Sequence, residues 1–178
     1  VALPQHAAQI AGLRDMLTGQ FNWNDMVWVD LTPSYLVGYL PATLLALLLP
    51  VHIAIAIVLT AAFCAYVWLA LIFRRRMKAP AALDPLLLLS FFGNAFQWGN
   101  FNFLVALPVC LLFLLTAIDY AQKPGRKTVA HLLAMGTLLY LSHILMFLFG
   151  CVLGGLILLA HERRIGRLIR LSLPFVFF

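Results

Sequence analysis

Residues 128–160 read TVAHLLAMGTLLYLSHILMFLFGCVLGGLILLA, 33 residues without one formal charge. A single straight helix of that length would reach about 50 Å, well beyond a hydrocarbon core of about 30 Å. The run therefore reads as two short helical legs that meet at its polar centre, Ser142-His143. A single steep helix is the alternative, and it would force one flanking basic cluster to the other side of the membrane. In lipid every backbone polar group must be satisfied within the protein, which leaves helices or closed barrels. The apolar runs of this chain do not alternate as barrel strands do, so the helix is the reading.

Outward from that stretch, the composition agrees. Of the 178 residues, 64% are hydrophobic and 10% are charged, with a mean hydropathy of +1.00. A soluble domain is about a quarter charged. An ordinary cytosolic enzyme, a disordered tail and a secreted disulfide scaffold are thereby excluded. The fold class expected is all-α: a polytopic transmembrane helix bundle with short helical hairpins and an amphipathic surface helix. Cys64, Cys110 and Cys151 each lie in an apolar run with no zinc-site or CxxC spacing, and read as small buried hydrophobes. The sequence opens at Val1 and closes at Phe178 inside a new apolar run beginning at 171, so it reads as a piece of a longer membrane protein.

The net charge of +6 is concentrated. Of twelve Lys and Arg, all but Arg14 fall in three clusters: Arg74-Arg75-Arg76-Met77-Lys78, residues 123–127, and residues 163–170. This is the signature of cytoplasmic connectors under the positive-inside rule, with anionic lipid headgroups as partners. A nucleic-acid surface would instead gather basic residues on one folded face among aromatics, so no nucleic acid is expected.

If the three clusters share one side, each stretch between them crosses an even number of times. Residues 79–122 then form a hairpin with legs near 85–98 and 101–119. Residues 128–160 give legs near 129–141 and 145–160. Residues 51–73 are a clean span. Residues 35–49 are short, interrupted by Gly38 and Pro41 and closed by Pro50, and either cross or dip in and return. Residues 1–34 form the extracytoplasmic segment if 35–49 dips. In that segment residues 5–17 read as a surface helix, with Gln5, His6, Gln9 and Asp15 opposite its apolar residues. Trp23 and Trp28 suit interfacial anchors, and Thr32-Pro33 suits the start of the next helix.

Polar groups within so apolar a chain need a reason, because an unpaired one costs several kcal/mol in lipid. Asp25 and Asp30, near His6, Asp15 and Tyr35, suit a general base or a divalent-metal ligand beside a phosphate-bearing substrate, or else an ordinary solvated loop. The turn Gly93-Asn94-Ala95-Phe96-Gln97-Trp98-Gly99-Asn100-Phe101-Asn102-Phe103 alternates carboxamides with aromatic rings and glycines. Amides exchange hydrogen bonds with sugar hydroxyls and rings stack on a sugar's apolar face; the alternative is amides that only satisfy a helical turn. His143, at the expected apex, suits a proton shuttle, a phosphate contact or a metal ligand, or a hydrogen bond within the bundle. Asp84 and Asp119 stand near basic clusters and read as structural ion-pair partners. Gly150 and Gly154 have the spacing of close helix packing.

Four segments carry a resemblance. They are Leu3-Pro4-Gln5-His6-Ala7-Ala8-Gln9 leading into Leu13-Arg14-Asp15; Thr32-Pro33-Ser34-Tyr35-Leu36-Val37-Gly38-Tyr39-Leu40; Phe96-Gln97-Trp98-Gly99-Asn100-Phe101-Asn102-Phe103; and Tyr140-Leu141-Ser142-His143. In their order they resemble the GT-C class of polytopic glycosyltransferases, which includes protein mannosyltransferases and the aminoarabinose transferase of bacterial lipid A, and above all its bacterial members of uncertain specificity. The resemblance implies transfer of a sugar from a polyprenyl-phosphate carrier to a lipid, glycan or protein acceptor on the extracytoplasmic face of a bacterial cytoplasmic membrane. It implies an acidic residue in the loop after the first span, acting as base or holding a divalent metal. That loop would be residues 1–34. Asp25 and Asp30 are the catalytic candidates. His6 and Arg14 would meet the carrier phosphate, Gln97, Trp98, Asn100 and Asn102 would hold the sugar, His143 would line the deep end, and Tyr35 is a further substrate-binding candidate. A transporter or flippase-like protein for a lipid or small polar solute is the competing reading, and a non-catalytic scaffold subunit is a third.

Overall fold

The computed structural model describes residues 3–20, 35–162, 169 and 171–174. Asp25 and Asp30 lie outside the described residues, as do Trp23, Trp28 and Thr32-Pro33. Within them the chain is all-α and contains no strand. Its helices are α1 (Leu3–Thr18), α2 (Leu36–Ala46), α3 (Val51–Arg76), α4 (Asp84–Ser90), α5 (Asn94–Gln97), α6 (Phe101–Gln122), α7 (Arg126–Ser142) and α8 (Ile144–His161). Among the described residues α3, α6 and α8 are long and apolar enough to cross a membrane, the character of an integral membrane protein.

Local chemistry sets the ends. Pro50, with φ −55° and no N–H to donate, precedes α3, and Arg74, Arg75 and Arg76 close it where the helix dipole favours cations. The backbone N–H of Gly125 donates to Thr128 Oγ1 at 2.9 Å and ties down the start of α7. One extended residue, His143 (φ −169°, ψ 118°), separates α7 from α8. The Ser142 hydroxyl donates a hydrogen bond to the Leu138 carbonyl at 2.7 Å, inside its own helix. The chain reverses there: Gly150 of α8 lies against Leu139 of α7 and Phe113 of α6, where a Cβ would come within 2.7 Å of the Leu139 side chain.

Helix α6 is the axis of the bundle and packs against α2, α3, α7 and α8. Its Ala106, Cys110, Phe113 and Ala117 join Leu132, Leu139 and Leu158 in the main core. The small residues among them allow close approach, and Phe113 and Leu139 are wholly buried. Conversely, α8 leaves Leu148, Phe149, Val152, Leu156 and Leu159 exposed, a face suited to acyl chains.

The expected leg 85–98 is not one helix. It breaks at Phe91-Phe92-Gly93 into α4 and α5. The cause is tertiary: Phe91 is 2% exposed and packs on Phe63 and Tyr66 of α3. The Tyr66 hydroxyl donates to the Leu87 carbonyl at 2.7 Å and lies 2.6 Å from Ser90 Oγ. Extended Gly93 then lets the chain turn into α5. Gly99, at φ 72°, makes the left-handed turn into α6, and its missing side chain gives room to Leu3 at the start of α1.

The two ends of the bundle differ in charge. Arg74 holds Asp84 with two bonds of 2.8 and 3.0 Å, and Arg76 meets Asp119 at 2.6 Å. These pairs, with Lys123, Arg126 and Lys127, lie at the C-terminal ends of α3 and α6 and the start of α7. The start of α6 is about 33 Å away along its axis. Among the described residues that end carries one ion pair, Arg14–Asp15 on α1, and no basic cluster.

Candidate functional site

A cavity of about 810 Å³ occupies the end away from the basic clusters. Five pieces of the chain build it. Gln5, His6 and Gln9 come from α1, and Tyr35 and Tyr39 from the start of α2. Ser90, Asn94 and Ala95 come from the broken leg, Asn100, Asn102 and Phe103 from the entry to α6, and His143 and Leu145 from the apex between α7 and α8. Among these described residues none bears a formal charge. The wall is amide, imidazole, phenol and hydroxyl, interleaved with rings.

Tyr39 organises one side. Its hydroxyl donates to Gln9 Oε1 and lies 2.7 Å from His6 Nδ1. Its ring stacks on Phe101, with centroids 6.4 Å apart. Helix α2 is 11 residues long, about 16 Å, too short to cross a bilayer. It starts at the cavity with Tyr35 and leads through a turn into α3 at the same end of the bundle.

Asn102 is 4% exposed, and its Oδ1 is buried with no hydrogen-bond partner. It packs against Gly38, where any side chain would collide with it. Across the cavity, Tyr35 edges onto the His143 ring at 5.1 Å, and Phe103 does the same at 5.4 Å. His143 Nδ1 is also buried without a partner. Tyr35 has φ 110°, a left-handed backbone that costs a non-glycine residue about 1–3 kcal/mol. Its N–H donates to the Leu141 carbonyl at 2.8 Å, which ties α2 to the end of α7. Burial lowers the pKa of His6, so its ring is neutral at pH 7.

Of the substrate-contact candidates, His6, Tyr35, Asn100, Asn102 and His143 line this one cavity. Gln97 and Trp98 are exposed and do not line it. Arg14 also stands apart: its Nε and Nη2 hold Asp15 Oδ1 at 2.9 and 2.7 Å, two turns of α1 beyond His6. Asn94, an amide of the marked turn, also lines the cavity, whereas Gln5, Gln9, Tyr39 and Ser90 were not singled out as contacts from the sequence. A signal existed for two pairs, since Gln5/Gln9 and Tyr35/Tyr39 each have the i, i+4 spacing of one helix face.

Among the described residues no three His, Cys, Asp or Glu side chains stand together as a metal site would require. The described lining offers no carboxylate, the ligand that hard divalent cations favour, so these residues alone do not make such a site. No family model, no curated protein and no solved structure matches the chain.

Proposed function

We propose that the chain is a membrane glycosyltransferase that moves a sugar from a polyprenyl-phosphate carrier to an acceptor on the extracytoplasmic face of a bacterial cytoplasmic membrane. One observation carries this reading: the described lining of the cavity is neutral, rich in hydrogen-bonding side chains, ringed by aromatics, and set at the end away from the basic connectors. Its volume lies within the 300–1,000 Å³ typical of small-molecule sites. Neutral amides and phenols suit hydroxyls, which donate and accept together, better than they suit an ion. The Tyr35, Tyr39 and Phe103 rings suit the apolar face of a pyranose. Asn102 and His143 both enter the lining, each with one polar atom that makes no hydrogen bond.

The test is transfer of labelled sugar from a polyprenyl-phosphate hexose by the purified protein in detergent, where no sealed compartment exists. Turnover that falls at least tenfold in Asn102→Ala supports the reading. Substrate-dependent flux in sealed vesicles without covalent transfer in detergent favours the transporter and overturns it.

A further inference from the structure

Glycosyl transfer requires a group that takes the proton of the acceptor hydroxyl, and the hydrogen bonds around Tyr39 point to one. Gln9 Oε1 can only accept, so the Tyr39 hydroxyl proton is committed to it. In that arrangement the Tyr39 oxygen offers His6 lone pairs, and the Nδ1–H tautomer is the one that completes the 2.7 Å bond. A neutral imidazole protonated at Nδ1 has its free lone pair on Nε2. This ring borders the cavity. His143, the other imidazole of the lining, has no such arrangement: its Nδ1 is buried and unpartnered between the Tyr35 and Phe103 rings, and no bond sets its tautomer.

We propose that His6 is the proton acceptor of the site, with Nε2 as the basic atom and Tyr39 and Gln9 as positioning residues acting through Nδ1. This rests on the glycosyltransferase reading. In the step, the acceptor oxygen bonds to the anomeric carbon. The bond from that carbon to the phosphate oxygen breaks with its electron pair, and polyprenyl phosphate leaves. The hydroxyl proton passes to Nε2, and the imidazolium later returns it to water. Burial lowers the His6 pKa, which keeps the lone pair available at neutral pH. Among the described residues the titratable groups that share the cavity with His6 are Tyr35 and Tyr39 from α2 and His143 from the α7–α8 apex. Helix α6 and the broken leg face it with amides, Ser90 and Phe103, and His52, Cys64 and Tyr66 of α3 lie outside the lining. On α1 itself, Arg14 and Asp15 neutralise one another.

His6→Asn is the informative variant, because its amide N–H can still reach Tyr39 while the basic nitrogen is gone. We expect kcat to fall about 100-fold or more, with the KM for the lipid-linked sugar changed little. The acidic limb of the wild-type pH–rate profile disappears in this variant and persists in Asp25→Asn and Asp30→Asn. Added imidazole restores turnover to His6→Ala. Nitrogen-15 NMR of the intact chain in detergent shows His6 as the Nδ1–H tautomer at pH 7. An Nε2–H tautomer, or His6→Asn turning over within about fivefold of wild type, overturns the assignment while leaving glycosyl transfer standing. A wild-type chain that transfers no sugar overturns the function reading, and the base assignment falls with it.

Discussion

Gly38→Ala isolates the coupling between α2 and the cavity. The new Cβ would land on Asn102 Oδ1 and lie 3.3 Å from both Asn102 Cγ and Phe101 Cε1. Asn102 is 4% exposed and Phe101 wholly buried, so neither neighbour has free volume to retreat into. Overpacking of this kind costs about 1–3 kcal/mol. Replacing a helical glycine by alanine returns about 1 kcal/mol of propensity. The net expectation is a loss of about 0–2 kcal/mol, with the Asn102 amide displaced from its present position. Gly12→Ala in α1 is the control, because nothing lies within 4 Å of its Cβ. That change should stabilise by about 0.5–1 kcal/mol. Equilibrium unfolding in detergent, followed by circular dichroism, should rank Gly12→Ala above wild type and Gly38→Ala at or below it. Sugar transfer should fall in Gly38→Ala alone. If Gly38→Ala stabilises as much as Gly12→Ala and transfers normally, the close approach of α2 to Asn102 is wrong.

Two more outcomes follow from the packing and the charges. Leu139→Ala removes a wholly buried side chain wedged between Phe113 and Gly150 and should cost about 2–5 kcal/mol in the same unfolding assay. His6 has a folded pKa below its ordinary 6.5, so between those values the unfolded chain binds the extra proton. Its stabilisation is therefore complete above pH 6.5 and lost as the pH falls toward the folded value. Thermal midpoints measured across pH 5–7 should decline on acidification more steeply in wild type than in His6→Asn.

The class of the fold was legible because lipid leaves so few options. An uncharged run too long for one crossing has to bend, and Ser142-His143 is its most polar point. The basic clusters mark the ends of α3, α6 and α8. The break in 84–97 was not legible, since it comes from Phe91 burying itself against Phe63 and Tyr66, residues far away in sequence. Nor was the role of Tyr39. A tyrosine in a short apolar segment reads as an interfacial anchor, and only the docking of α1 onto α2 shows its hydroxyl bound to Gln9 and His6. The polar face of α1 was visible in sequence, but its direction, toward a shared hollow, depends on Ile10 being wholly buried against α2, α3 and α6. Gln97 and Trp98 show the converse: composition marked the whole turn, and the left-handed step at Gly99 decides which of its side chains meet the cavity.

Sugar transfer at this cavity requires the cavity and the basic connectors to occupy opposite faces of the membrane. Single cysteines at position 100 and position 125, in a chain whose Cys64, Cys110 and Cys151 are replaced by alanine, test this with a membrane-impermeant thiol reagent on sealed, oriented vesicles. Labelling of the two positions from opposite sides is the result predicted. Labelling of both from the same side would contradict it.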